Sequence, residues 1–244
     1  MTGKLMTVKK RAAIGCLVAG AMAVAGQAWA EETARDPFEG FNRGMFAVNE
    51  GLDTVVFRPV AQAYDFAVPL PAKAGVGSFF GNIADFRNAL NNTLQGKLAD
   101  AGSDLGRLLI NSTVGIFGLF DVASELGLEK HDEDFGQTLA VWGWGDSSFV
   151  FWPILGPRTV RDTGGWVVDA YSDPTWYTLN KSVAARNSLV ALRFVDVRAS
   201  LLPSDKVVEE AALDKYAYVR DAYLQRRRSQ IFDGRPPRLD DVLD

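Results

Sequence analysis

The sequence predicts an all-α domain, and three observations predict it. Apolar residues recur at spacings of three and four through most of the chain. Asp-Pro pairs and single Asp or Ser residues stand ahead of those stretches, where helix caps belong. No alternating run bounded by turn signals is long enough to make a strand. Residues 149–154 come nearest, and Pro153 interrupts them. With no internal repeat and no linker, residues 31–230 read as one domain of many short helices, with two longer ones toward the C-terminal end.

Each element follows from local signals. Residues 31–35 are a polar lead. Asp36-Pro37 caps and starts a helix whose stripe is Phe38, Phe41, Met45 and Phe46, and Gly51 is expected to end it. Asp53 caps a second short helix that Pro59 disturbs. Pro69 and Pro71 mark a break. Helices are then expected over 72–80, weakened by Gly75 and Gly77, and over 85–94, closed by Gln95-Gly96. Residues 97–111 carry Leu98, Ala101, Leu105, Leu108 and Leu109, and Gly102 and Gly106 would let another backbone come close. Residues 114–120 are apolar and too short to span a bilayer, which takes about 20 residues. Asp121 caps a short helix to Leu126, and a further one begins near Phe135. Residues 158–169 read as helix, and Asp173-Pro174 restarts the chain. Residues 180–200 form one of the longer helices, which Pro203 ends. Ser204 or Asp205 caps the last and longest, running to about Arg228. Residues 231–244 are expected to be a disordered acidic tail.

The first thirty residues read as a secretory signal peptide. Lys9-Lys10-Arg11 is the positive region, an apolar run of about 14 residues follows, and Ala28-Trp29-Ala30 places cleavage before Glu31. The lone cysteine, Cys16, sits too close behind Arg11 for a lipidation box, so a lipid there is not expected. The leader removes Lys4, Lys9, Lys10 and Arg11. The 26 basic residues fall by these four to 22 against 30 acidic ones, a net charge of −8. Such a chain does not suit nucleic acid, whose phosphates need basic patches.

Catalytic and metal chemistry is not supported. His131 is the one histidine, beside Asp132, Glu133 and Asp134. Adjacent residues do not converge on one ion, and acids ahead of a helix are explained by its dipole. Gly145-Asp146-Ser147-Ser148 has no histidine after it to act as base. The glycines from Gly75 to Gly81 miss the dinucleotide spacing and follow proline-broken sequence. No cofactor, no metal and no enzyme activity is expected.

Residues 141–162 crowd Trp142, Trp144, Phe149, Phe151 and Trp152 among Gly and Pro. Aromatic residues of this kind plug a core, line a ligand mouth or sit at a membrane–water boundary.

Asp36-Pro37-Phe38-Glu39-Gly40-Phe41-Asn42-Arg43, followed by Phe46, Asn49, Leu52-Asp53 and Arg58-Pro59-Val60, resembles the opening of the MlaA (VacJ) family. The likeness continues through NNTLQGK at 91–97, RLLINSTVGIFGLFDVA at 107–123, DFGQTL at 134–139 and LGPRTVRD at 155–162. The resemblance implies a ring of helices lying in the inner leaflet of a Gram-negative outer membrane around a polar channel. It implies that phospholipid strayed into the outer leaflet is passed inward to a soluble periplasmic, MlaC-like carrier. Trimeric porins are the implied membrane partners. On that reading Asn42, Asn49 and Asn111 are candidates near the lipid path, and Phe38, Phe41 and Phe46 candidates for leaflet access. Each has an alternative as a packing or capping residue. Trp142, Trp144, Phe149, Phe151 and Trp152 become candidates for a membrane-interface or porin-facing edge, with burial as their alternative. The rival function is a periplasmic or outer-membrane adaptor that binds a protein without moving lipid.

Overall fold

The computed structural model describes residues 36–179 and 181–237. The expected leader, Cys16, the polar lead and the last residues of the tail lie outside them. The class is all-α, with one small hairpin. Helix α1, Glu39–Leu52, runs through a π-helical turn, Asp53–Phe57, into α2, Arg58–Ala67. Gly51 therefore does not end the first helix. The π turn shifts the hydrogen-bond register just ahead of Pro59, which lies in the first turn of α2, where its missing N–H is tolerated. Asp36 does not cap: it accepts a bond from the Asn42 amide at 2.7 Å and one from the Tyr216 hydroxyl.

Helix α3, Leu70–Leu94, is a single rod of 25 residues where two short helices were expected. Its buried face is Phe80, Asn82, Asp85, Asn88, Asn91 and Asn92. The period is helical, but polar residues carry it, so an apolar count breaks the rod in two. It pairs with α4, Leu98–Thr113, which buries Ala101, Asp104, Arg107 and Asn111. The stripe expected to pack, Leu98, Leu105 and Leu109, points outward instead.

Helix α5, Val122–Glu125, is capped by Asp121, and α6, Phe135–Val141, by Asp134. Strands β1, Phe149–Trp152, and β2, Gly156–Thr159, pair antiparallel, with Phe149 opposite Thr159 and Trp152 opposite Gly156. Pro153 lies in the turn, not in a strand, which leaves the ladder intact. Thr159 caps α7, Val160–Ser172, and Asp173 caps α8, Pro174–Thr178. Helix α9 spans Val183–Ser200.

The long final helix is two: α10, Leu202–Ala211, and α11, Lys215–Ile231. Pro203 opens α10 rather than ending α9, because proline is at home in a first turn. Extended backbone at Ala212 breaks the rod, and the Asp214 carboxylate restarts it on the Ala217 N–H. Among the described residues the longest helix is thus α3, not one at the C-terminal end.

Close approach occurs elsewhere than expected. A methyl on Gly102 would meet nothing within 4 Å. A methyl on Gly165 of α7 would run into the Gly136 backbone of α6. A small apolar core gathers Phe149, Phe151 and Tyr216, with Met45, Phe46, Val219 and Leu224 against it.

Candidate functional site

The molecule is polar inside and apolar outside. Among the described residues, the ten bulkiest side chains with almost no exposure are Arg107, Phe149, Gln137, Asn42, Asn88, Asn91, Asn92, Thr138, Asp85 and Asp104. Phe149 alone of these is apolar. Meanwhile Phe66 is 94% exposed, Leu70 77%, Phe117 76% and Leu98 70%. Soluble monomers rarely show so much apolar surface. Polar groups are tolerated inside because they bond one another.

The interior bonds are specific. Arg107 sends two hydrogen bonds of 2.8 Å to Asp121, and others to Ser124 and to the Leu128 carbonyl. Its Nε stands 3.5 Å from Asp85, which also takes Lys130 at 2.9 Å. Burial pushes Asp85 above the usual carboxylate range, against the pull of Lys130 and Arg107. Burial also acts upward on Asp121, but the bonds from Ser124, Arg107 and Asn111 outweigh it and hold that carboxyl well below its ordinary value. A second knot ties Arg227 to Asp134 through two bonds of 2.6 Å and to Asp162 at 2.9 Å. His131 Nδ1 lies 3.0 Å from Asp104, and among the described residues no acid or histidine cluster is placed to hold a metal.

The expected path asparagines are braces. Asn42 donates to the Phe149 carbonyl at 3.1 Å and accepts from the Phe151 N–H at 2.8 Å. Asn49 does the same two turns on, to the Trp152 carbonyl and from the Ile154 N–H. Together they fix the hairpin onto α1. Asn111 accepts from the Ala123 N–H at 2.9 Å and donates to Asp121 at 3.0 Å.

Phe38 and Phe41 are exposed, whereas Phe46 packs edge-on against Phe151 and Tyr216. Phe149 and Phe151 are buried, so they cannot form the surface edge expected of them: β1 turns both rings into the core. Trp142 and Trp144 are exposed, Trp142 tethered through its Nε1 to the Leu94 carbonyl at 3.1 Å. Trp152 is half-buried, bonded to Thr163 at 2.9 Å.

Two features escaped the sequence reading. The 114–120 loop displays Val114, Ile116, Phe117, Leu119 and Phe120 to the exterior. Ile116 and Phe117 hold positive φ of 52° and 56°, an uncommon state for either residue, and Gly118 follows at 85°. The backbone is locked, since the Gly118 and Phe120 N–H groups bond back to Asn111 and Gly115. The signal was present in the glycine-spaced apolar run, though not its outward aim.

The second feature is a cavity of about 460 Å³ lined by Asn82, Ile83, Phe86, Leu108, Ser112 and Tyr177 among others. Most of its wall is hydrocarbon. Asn82 donates to Ser112 at 2.9 Å, and its own carbonyl oxygen is buried with no partner among the described residues. An amphipathic guest matches such a wall.

Comparison with known proteins gives one answer. The family model described as MlaA lipoprotein matches residues 34–230. The Shigella flexneri protein named intermembrane phospholipid transport system lipoprotein MlaA is 37% identical over 196 residues, covering 78% of this chain and 76% of its own. Its Escherichia coli K12 namesake is 36% identical, with the same coverage. A solved chain, reported under the structural basis for maintenance of bacterial outer membrane lipid asymmetry, superposes with a TM-score of 0.70. It is 33% identical and covers 82% of this chain and 99% of its own.

Proposed function

We propose that this chain, which belongs to the MlaA lipoprotein family, draws phospholipid out of the outer leaflet of the outer membrane and hands it inward. Membership carries a role in outer-membrane lipid asymmetry and association with phospholipid and that membrane. It makes the chain a lipid-transport component and not an enzyme.

The observation that carries the reading is the inversion of polarity. Among the described residues no helix is long and apolar enough to cross a bilayer. Short helices with outward Leu and Phe suit a protein lying within one leaflet. A headgroup is costly to drag through hydrocarbon, so transfer needs a polar route. The cavity beside Asn82 and Ser112 offers both chemistries, and we place the route there rather than at Asn42, Asn49 or Asn111, whose amides are engaged. Phe38 and Phe41 lie on the leaflet side, and Trp142 and Trp144 at an interfacial or porin-facing edge. A soluble MlaC-like carrier receives the lipid.

Anchoring rests on the apolar exterior after export through the 1–30 leader, with no lipid on Cys16. Mass spectrometry of the mature N-terminus checks this: a chain starting at Glu31 supports it, and a diacylated Cys16 overturns it. The function itself is tested by deleting the gene and measuring outer-leaflet phospholipid. Accumulation that the wild-type gene reverses supports transfer. Unchanged surface lipid and detergent sensitivity would favour the adaptor reading.

A further inference from the structure

Beside the Arg227 knot lies a separate recess of about 200 Å³, between β2, the α7 start and α11. Several waters fit in that volume at roughly 30 Å³ each, and so does a tetrahedral oxyanion. Its wall includes Arg158, Arg226, Arg227, Asp134, Asp162 and Tyr223.

Both carboxylates there are already engaged. Asp134 takes Arg227 in two bonds, and Asp162 takes Arg227, Arg161 at 3.1 Å and the Tyr223 hydroxyl at 2.7 Å. Arg158 is left over. No hydrogen bond or ion pair reaches its side chain among the described residues, its Nε is buried, and its guanidinium lies 5.3 Å from the centre of the Trp166 ring. Burial pushes that guanidinium's pKa down, against the pull of Tyr223, Asp134 and Asp162. Arg226, on the rim, has a loose pairing with Asp132 at 3.5 Å between two exposed groups. The recess therefore holds more positive charge than its own acids neutralise. Exposed Ile154, Leu155, Val160 and Val167 adjoin it in sequence, on the hairpin turn and the first turns of α7.

We propose that this recess is an oxyanion site in which Arg158, with Arg226 at the mouth, binds a phosphodiester. Trp166 holds the Arg158 plane, and the adjoining apolar surface takes the acyl chains of the lipid to which the phosphate belongs. This rests on the reading that the chain handles phospholipid, and names where it grips the headgroup. The same chemistry would take free phosphate.

The test uses the full mature chain in detergent micelles, with bound lipid counted by native mass spectrometry. Phosphatidylglycerol is compared with diacylglycerol of the same chains, which lacks the phosphate, and inorganic phosphate is titrated as competitor. The wild type should retain phosphatidylglycerol over diacylglycerol, and Arg158→Gln should lose that preference on the order of tenfold, the worth of one charge-assisted hydrogen bond. Arg158→Lys, which keeps the charge without the fork, should restore part of it. Unchanged helicity and melting show that the variants fold.

Inorganic phosphate that displaces the lipid at low millimolar concentration, with no gain from acyl chains, would make the ligand soluble phosphate and overturn the lipid assignment. Phosphatidylglycerol held equally by wild type and Arg158→Gln would overturn the site while leaving lipid handling intact. A wild type that retains neither lipid would overturn the site and the functional reading together.

Discussion

A guanidinium cut off from water must have its charge met inside the fold, and Arg107 meets it with Asp121, Asp85, Ser124 and a carbonyl. Replacing it takes the buried cation from both carboxylates, leaving Asp85 with Lys130 and Asp121 with Ser124 and Asn111. Arg107→Leu should cost about 3–5 kcal/mol, read by chemical denaturation in mild detergent. The Asp121 carboxyl is held below its usual range in the folded protein. Such a group adds stability that is present above its unfolded pKa of about 3.9 and lost as pH falls through the folded value. Asp121→Asn should therefore flatten the acid limb of a stability–pH curve below about pH 4. An acid limb identical to wild type would show that Asp121 does not bear on it. The same rule reads Asn42 and Asn49, which hold a hairpin strand by both faces of an amide. Alanine at either should cost about 1–3 kcal/mol through the unpaired backbone groups it leaves.

Helices α6 and α7 meet where neither has a side chain, at Gly136 and Gly165. Gly165→Ala must push them apart and should cost about 1–3 kcal/mol, while Gly102→Ala, with open space around it, should gain about 0.5–1 kcal/mol. Thermal melting of the two variants in parallel separates a contact glycine from an incidental one. This contrast marks what the sequence could tell. Periodicity and caps locate α5, α6 and α8, because Asp121, Asp134 and Asp173 act through neighbours two or three residues away. Orientation was not legible. The stripe Leu98, Leu105 and Leu109 has the right spacing for a packed face, yet Asp104, Arg107 and Asn111 are the buried ones. An apolar stripe marks the core only where the surroundings are water. For the same reason the sequence does not show that α3 is one rod, that Phe149 and Phe151 take the buried alternative, or that a cavity opens beside Asn82: each depends on partners far along the chain.

At the scale of the molecule, polarity runs opposite to that of a water-soluble globule. The locked 114–120 loop is the sharpest outward feature, a rigid knuckle of Ile, Phe and Leu. Phe117→Ser should leave the fold's melting unchanged, because the ring touches little of the protein. It should weaken binding to lipid vesicles on the order of tenfold or more, from about 1.5–3 kcal/mol of lost ring burial. Flotation with phospholipid vesicles checks it. The central claim is that this exterior faces hydrocarbon, and the most direct measurement is made on the chain reconstituted in bilayers. Nitroxides placed singly at Phe66, Leu98, Phe117 and the likewise exposed Tyr171 are read for collision with oxygen, which enters lipid, and with a nickel chelate, which stays in water. High oxygen and low nickel accessibility at all four positions is the predicted result. Nickel accessibility equal to that of a freely hydrated site, at all four, would contradict it.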